Sequence, residues 1–414
     1  MSRRIPLAGW LAAETISLTG TRISMVAIPW FVLTTTGSAT QTGLVAFAEM
    51  APYVGAKALS GPLMDRVGPR RVCVATDAAS VGAVGIIPLL HGLELLSFPL
   101  LLVLVAIAGA LRGPADGAKW ALVPSVAEAA DVPLERVTGL AGAVERLAGT
   151  VGAAVAGLLV AAVGPAQALV LDAASFGVSA VLIWLTAPRP AGSGTDEPDD
   201  SPYLAQLREG WQFLRHDRVL IAITAMVAVT NLFDLAYATV LVPVWAKETG
   251  GGPAAIGLLF ATFGGAAVVG SVVAATFAER LPRRLTYLLA FLLVGAPRFL
   301  VLAFDLPIAV VLTVAVIAGF STGFINPILG AVIFERIPEA LVGRVTSLST
   351  SLCWTLVPFG GLLGGIAVTA VGLAPALVLL GAAYLAATTL PALLPQWREI
   401  DRRPEPSTPA TAPV

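Results

Sequence analysis

The sequence predicts an all-α membrane protein with twelve transmembrane helices, arranged as two pseudo-symmetric six-helix bundles. Three observations predict this fold: the composition, the number of long apolar runs and an internal repeat. Of the 414 residues, 57% are hydrophobic and only 12% are charged, and the mean hydropathy is +0.86. A soluble protein of this size carries roughly twice that charged fraction. The net charge is −1 and no basic domain is present, so nothing suggests a nucleic acid as a partner.

Each transmembrane helix needs about 20 apolar residues to cross the bilayer core, and twelve such runs are separated by turn residues or charges. The first six lie near 8–33, 41–63, 72–92, 96–118, 139–162 and 166–187. The second six lie near 219–245, 254–277, 286–304, 307–332, 343–369 and 374–394. Proline inside a helix removes a hydrogen bond, so kinks are expected at Pro29, Pro243 and Pro358.

The basic residues predict the orientation of the bundle. Of the 25 Lys and Arg residues, five lie well inside spans, namely Arg22, Lys57, Arg112, Arg146 and Arg298. Lys247 lies on the side opposite the termini, and the other 19 lie on the side that both termini share. Because Lys and Arg are enriched in cytoplasmic loops, we predict a multi-pass protein of the inner (cytoplasmic) membrane with both termini in the cytoplasm.

The longest connection divides the chain into predicted domains. Residues 1–187 form one six-helix bundle, 188–218 a cytoplasmic linker, 219–397 the second bundle and 398–414 a disordered tail. The linker begins with a segment rich in Gly, Pro and Asp, which is typical of an unpacked connection. It continues with apolar residues at helical spacing, which predict an amphipathic helix on the membrane surface: Tyr203, Leu204, Leu207, Trp211 and Leu214.

The two halves repeat each other at an offset of about 214 residues. The matched positions include Pro29 with Pro243, Gly43-Leu44 with Gly257-Leu258, and Asp65-Arg66 with Glu279-Arg280. Each match is weak alone, but their common order is difficult to produce by chance. Two halves with parallel topology are the arrangement expected of a transporter that rocks one half against the other.

A short charged run over 61–71 is predicted to join the second and third spans as a loop, in which the glycines permit tight backbone turns. Its defining residues are Gly61, Asp65, Arg66, Gly68, Arg70 and Arg71. This run resembles the signature loop of the major facilitator superfamily. Further segments resemble the twelve-helix drug-exporter branch, which includes macrolide-efflux and enterobactin-exporter-like proteins: Ile28-Pro29-Trp30, Leu171-Asp172-Ala173-Ala174-Ser175-Phe176 and Asn326-Pro327. The resemblance covers nearly the whole chain.

The resemblance implies that the first, fourth, seventh and tenth helices line a central cavity. Ionisable residues within a membrane are costly and mark functional positions. The candidate proton carriers are Glu14, Glu49 and Asp234, because a medium of low dielectric favours the protonated form of a carboxylate. The candidate residues of the substrate cavity are Arg22, Arg112, Asn231, Tyr237 and Asn326.

Two structural alternatives remain open for these charges. The same side chains could form static ion pairs, such as Arg22 with Glu49 across two helices or Arg112 with Asp116 within one helix.

Asp65 is expected to gate the cavity by approaching the positive end of the eleventh helix near Gly343-Arg344. Such a contact would hold the cytoplasmic side closed.

The expected function is secondary active transport, with export of amphipathic drug-like or natural-product molecules against inward proton flow. A siderophore exporter, an uptake permease for a small metabolite and a non-transporting sensor or scaffold are the alternatives. The sequence has no phosphate-binding Gly-rich loop with Lys and Ser or Thr, so we expect neither ATP use nor enzymatic activity. We expect no cofactor or metal. The expected partners are a small-molecule substrate, protons and the lipid bilayer, and the protein is expected to be a monomer.

Overall fold

The chain folds into long helices that run back and forth across the bundle, as a computed structural model shows. It describes residues 4–188, 203–277, 281–304, 306–338, 341–393 and 397. Eleven of the described helices are long and apolar enough to cross a bilayer. Ala39–Val67 is a twelfth helix of sufficient length, with 29 residues. Its charges, which include Glu49 and Lys57, make it less apolar than the others.

The first half contains α1 (Ile5–Thr36), α2 (Ala39–Val67), α3 (Pro69–Gly92), α4 (Phe98–Ala130), α5 (Leu134–Val163) and α6 (Pro165–Thr186). A shorter helix, α7 (Tyr203–His216), precedes the second half. The second half contains α8 (Arg218–Glu248), α9 (Gly252–Phe277), α10 (Arg283–Ala303), α11 (Ile308–Arg336), α12 (Val342–Trp354 followed by Val357–Val371) and α13 (Leu373–Leu393). We call the side where α1 begins and α13 ends the termini side.

Equivalent helices pack in the same way in the two halves. In the first half, a Cβ on Gly109 of α4 would lie 2.1 Å from the carbonyl oxygen of Glu49 on α2. In the second half, a Cβ on Gly319 of α11 would lie 2.1 Å from the carbonyl oxygen of Phe263 on α9. Glycine is needed at both positions because the backbones are in direct contact. The repeat in the sequence therefore corresponds to a repeated helix contact.

The signature run between α2 and α3 is more helical than expected. We expected a loop over 61–71, but α2 continues to Val67 and α3 starts at Pro69. Gly68 alone interrupts the helices, with a φ of 89° that favours glycine. Gly61 lies within α2 and needs no special backbone conformation, so the expectation that both glycines form a turn was wrong for Gly61.

The three predicted kink sites behave differently. Pro243 follows a π-helical turn at Tyr237–Leu241 in α8, and Pro358 lies in the first turn after the break in α12. In contrast, α1 is helical throughout Ile5–Thr36, including Pro29. A second π-helical turn interrupts α5 at Ala148–Gly152. Such turns frequently occur at functional sites, and both of these turns border the central cavity.

The connecting helix α7 has one side that packs against the second half and another that is exposed. Leu214 is buried with Leu220, Ile337 and Val345, whereas Trp211 is exposed. The helix therefore has an apolar side that packs on α8 and α12. The predicted linker segment 189–202, the tail 398–414, and Glu279 and Arg280 of the repeat lie outside the described residues.

Candidate functional site

A cavity lies between the two halves and has three adjoining lobes. Lobe 1 has a volume of about 380 Å³ and lies within the second half. Lobe 2, of about 360 Å³, lies between α1, α2, α5, α8 and α9. Lobe 3, of about 400 Å³, extends between the halves toward the termini side. Ala238, in the π-helical turn of α8, lines all three lobes, so they meet at this residue.

The cavity is closed on the side opposite the termini by direct backbone contacts between the halves. A Cβ on Gly43 of α2 would lie 2.1 Å from the carbonyl oxygen of Gly361 on α12. On the other side of the cavity, a Cβ on Gly157 of α5 would lie 2.6 Å from the Cα of Gly257 on α9. These small residues let the helices meet without side chains between them.

The cavity is open toward the termini side. Lobe 3 is lined there by Lys57, Trp120 and Trp354, all of which have exposed side chains. Cavity-lining residues come from α1, α4, α8 and α11, as the family resemblance implies, and also from α2, α5, α9, α10, α12 and α13. The site is therefore wider than the four helices that the resemblance implies.

Glu14 lies on α1 at the wall of lobe 3 and is 8% exposed. Among the described residues, its carboxylate has no hydrogen-bond donor and no Lys or Arg nitrogen within 4.0 Å. A buried carboxylate without such a partner is costly when charged. Of the three candidate proton carriers, Glu14 thus has the weakest local stabilisation of its negative charge.

Glu49 is ion-paired, and the partner differs from the one we considered. Arg112 of α4 lies 3.2 Å from the Glu49 carboxylate and 4.0 Å from that of Asp116. The alternative pairing of Glu49 with Arg22 was therefore wrong, whereas the pairing of Arg112 with Asp116 is present. Tyr53 links the cluster further, because its hydroxyl donates a 3.1 Å hydrogen bond to Asp116.

Asp234 forms an ion pair with Arg298 in lobe 1. The Arg298 guanidinium lies over three aromatic rings: its Cζ is 4.9 Å from the Tyr237 ring centre, 5.2 Å from Phe299 and 5.3 Å from Tyr384. The rings hold the cation by cation–π attraction. The Asp234 side chain is 41% exposed, so one side of the pair faces the cavity.

The remaining predicted cavity residues also lie at the cavity wall. Asn231 lines lobes 1 and 3 and donates a 3.1 Å hydrogen bond to the carbonyl oxygen of Cys353. Tyr237 and Asn326 line lobe 1. Arg22 lines lobes 2 and 3. The structure thus brings the predicted residues of α1, α2, α4, α8 and α11 around one connected cavity.

Sequence reasoning missed a buried charge cluster beside Glu14. The Lys119 ammonium lies 3.5 Å from the Asp77 carboxylate and donates a 2.6 Å hydrogen bond to Ser17. Ser179 donates a 2.7 Å hydrogen bond to the same Asp77 oxygen. Lys119 was counted among the basic residues outside the predicted spans, one position past the 96–118 span, but it lies within α4 and is buried. An isolated acid in the apolar 72–92 span was the signal that could have revealed Asp77.

The signature residues lie on the termini side. Asp65, Arg66 and Arg71 are exposed, and Arg70 donates a hydrogen bond to the carbonyl oxygen of Trp184 at the end of α6. No Lys or Arg nitrogen within the described residues lies within 4.0 Å of Asp65. The termini side is open in this conformation, and the predicted contact of Asp65 with the start of α12 is not formed. The contact stays a prediction for a conformation in which the termini side is closed.

The predicted partner segment of the gate engages α7 instead. Arg344, in the first turn of α12, forms an ion pair with Glu209.

Within the described part of the chain, no group of three or more His, Cys, Asp or Glu side chains could hold a metal ion.

The sequence profile of the Major Facilitator Superfamily matches residues 11–237 and 224–414. The multidrug efflux pump Tap of Mycobacterium tuberculosis (strain ATCC 25618 / H37Rv) is 32% identical over 409 residues, which cover 98% of this chain and 97% of Tap. Tap of Mycolicibacterium fortuitum is 30% identical, with 98% and 99% covered. Macrolide efflux protein A of Streptococcus pyogenes is 22% identical, with 94% and 96% covered.

Solved structures show the same fold at low sequence identity. A mutant of the nucleoside transporter NupG superposes with a TM-score of 0.75 at 12% identity and covers 95% of this chain and 99% of NupG. A bacterial homologue of the iron transporter ferroportin in an inward-facing state gives a TM-score of 0.69 at 17% identity, with 97% and 99% covered. The repeated helical halves, the cavity between them and the sequence match lead to one conclusion. This multi-pass membrane protein belongs to the major facilitator superfamily of small-molecule transporters and is not an enzyme.

Proposed function

We propose that this transporter exports amphipathic, drug-like or natural-product molecules from the cell and couples export to inward proton flow. The observation that carries this proposal is the central cavity, whose lobes join at Ala238 and combine apolar walls with a few buried charges. Such a lining suits ligands that are mostly apolar and carry a few polar groups. Two relatives are named as efflux proteins, the multidrug efflux pump Tap and macrolide efflux protein A, which supports export as the direction.

Proton coupling is proposed to act through Glu14. Its carboxylate is buried at the cavity wall, whereas the carboxylates of Glu49 and Asp234 are ion-paired in this conformation. A carboxylate with little stabilisation of its charge readily takes up a proton. Protonation would then favour one orientation of the cavity, and substrate binding would favour the other.

Alternating access is proposed to exchange the two ends of the cavity. The glycine contacts Gly43–Gly361 and Gly157–Gly257 close the side opposite the termini. Opening them while the termini side closes would carry a ligand across the membrane. With both termini in the cytoplasm, as the distribution of Lys and Arg supports, the described conformation faces inward and is ready to take up a molecule for export.

The test is a panel of antibiotics and dyes applied to a pump-deficient bacterial host that expresses the protein. We expect lower susceptibility to several amphipathic compounds and proton-gradient-driven uptake of the same compounds into everted vesicles. The control is Ala238→Trp, which places a large ring where the three lobes meet and is expected to abolish both effects at equal expression.

Other results would identify other functions. Efflux of a labelled iron chelator without any change in drug susceptibility would indicate a siderophore exporter. Accumulation into right-side-out vesicles would indicate an uptake permease. If no compound changes susceptibility and none moves in either vesicle orientation, the export proposal is wrong.

A further inference from the structure

Lobe 2 contains two cationic side chains that lack acidic partners. Arg112 and Arg298 are bound to carboxylates elsewhere in the cavity. In contrast, no carboxylate oxygen of the described residues lies within 4.0 Å of the Arg22 or Arg146 guanidinium. Both arginines line lobe 2. This pair distinguishes lobe 2 from lobe 1, whose charged side chains are paired with each other.

The backbone of α5 brings Arg22 and Arg146 to the same wall of lobe 2. Arg22 packs on the π-helical turn of α5, where a Cβ on Gly152 would lie 3.4 Å from its Cγ and a Cβ on Gly149 would lie 3.8 Å from its Nη2. Arg146 is on the same helix, one turn before Gly149. The Nε of Arg22 is buried and lacks a hydrogen-bond partner. Its Nη1 reaches only the sulfur of Met25, at 3.4 Å.

The rest of lobe 2 does not neutralise these cations. Glu49 is the acidic residue of its lining, and its carboxylate is bound to Arg112. Glu145 and Asp116 line the neighbouring lobe 3, from which they attract Arg22 without forming an ion pair with it. The other walls of lobe 2 are mostly apolar and come from both halves, and they include Ile28, Phe260 and Phe263.

A buried cation in a medium of low dielectric is unfavourable unless an anion or solvent compensates it. Arginine binds carboxylates and phosphates with paired N–H donors in a planar fork. We propose that lobe 2 binds an amphipathic anion, whose carboxylate or other oxyanion binds at the wall that carries Arg22 and Arg146 and whose apolar body lies against α9. This inference rests on the proposed function and specifies the substrate class of its site.

The test compares two probes that share one apolar body. Dansyl-aminoundecanoic acid carries a carboxylate, and its carboxamide is neutral. Binding is measured by dansyl fluorescence with the purified protein in lipid nanodiscs. Because a hydrogen bond to a charged group contributes about 1.5–3 kcal/mol, we expect the acid to bind at least about tenfold more tightly than the amide.

Variants assign the preference to the two arginines. Arg22→Gln and Arg146→Gln should each reduce acid binding by about tenfold or more and leave amide binding unchanged. Arg22→Lys should retain part of the preference because it keeps the charge. Arg215→Gln is the matched control, since Arg215 is exposed on α7 and lies outside the cavity lining. Arg146 is exposed to the lobe, so its variant tests the proposal even where Arg22→Gln impairs folding.

The outcomes separate this inference from the export proposal. Equal binding of acid and amide, or equal weakening of both by Arg146→Gln, overturns the anion site even if the protein still confers drug resistance. A tenfold preference that Arg146→Gln removes supports the site, even if none of the compounds in the susceptibility panel is exported.

Discussion

The ammonium of Lys119 lies 3.5 Å from the carboxylate of Asp77, and the two side chains are 3% and 0% exposed. Ser17 and Ser179 hydrogen-bond to this pair from α1 and α6. The cluster therefore joins four helices of the first half through buried polar contacts. Removing one member of a buried pair leaves an uncompensated charge, which costs more than the pair itself contributes.

We predict that Asp77→Asn destabilises the protein by about 3–5 kcal/mol, because the Lys119 charge loses its carboxylate. Thermal unfolding in detergent micelles measures the effect as a lower midpoint. The double variant Asp77→Leu with Lys119→Met should recover much of the loss, since an apolar pair needs no compensation. Glu128→Gln is the control, because Glu128 is exposed. An Asp77→Asn midpoint equal to that of the control would contradict this account.

We predict that Glu14→Gln abolishes the dependence of the export rate on the proton gradient, while substrate still binds. Glutamine keeps the size of the side chain but cannot exchange a proton. In everted vesicles, wild-type export should increase with the imposed proton gradient, and the Glu14→Gln rate should stay at the level seen without a gradient. Glu128→Gln should behave like wild type. If Glu14→Gln keeps the gradient dependence, the proton passes through another group.

We predict that Gly43→Ala opens the side opposite the termini. The new Cβ would lie 2.1 Å from the Gly361 carbonyl oxygen, so the halves can no longer meet there. Overpacking of this kind costs about 1–3 kcal/mol, and a cost of 1–2 kcal/mol already shifts a two-state equilibrium about fivefold to thirtyfold. Gly55→Ala in the same helix is the control, because its Cβ would have no atom within 4 Å.

The readout for this shift is a cysteine at Ala238 in a chain whose native Cys73 and Cys353 are replaced by alanine. A membrane-impermeant maleimide is applied from the side opposite the termini. Labelling should be slow in the parent and in Gly55→Ala, and faster in Gly43→Ala. Equal rates in all three would mean that the glycine contact does not keep this side closed.

We predict that Asp65→Asn weakens closure of the termini side, because it removes the negative charge of the expected gate. If Asp65 stabilises closure of the termini side, its neutralisation should reduce labelling at Ala238→Cys from the side opposite the termini. Export should fall in parallel. Glu94→Gln is the control, since Glu94 lies in the connection between α3 and α4. Wild-type labelling and export in Asp65→Asn would show that the carboxylate is not part of a gate.

The sequence was sufficient for the fold because apolar length and spacing determine which segments can cross a bilayer. It also identified most charges of the cavity, since ionisable residues are rare in such segments. It could not identify their partners. Whether Glu49 contacts Arg22 or Arg112 depends on how α1, α2 and α4 are rotated and packed, and one helix's periodicity does not contain that information.

Lys119 was missed from the sequence because the fourth predicted span was ended too early. The fourth span was ended at residue 118, one position before Lys119, whereas α4 continues past it. Asp77 lies among small and apolar neighbours, so no charged residue close to it in sequence suggested a pair. The π-helical turns were also missed, because they depend on how α5 and α8 pack and on Pro243 rather than on a distinct residue pattern.

Ala238 lies where the three lobes meet, and its side chain is a single methyl group. Phe260 and Phe263 also line both lobe 1 and lobe 2, so Ala238 is one part of the junction between the region of Arg298 and that of Arg22. The small side chain at position 238 therefore leaves room for cargo that occupies more than one lobe at once. A larger residue there would narrow the junction of the three lobes and exclude bulky cargo from it.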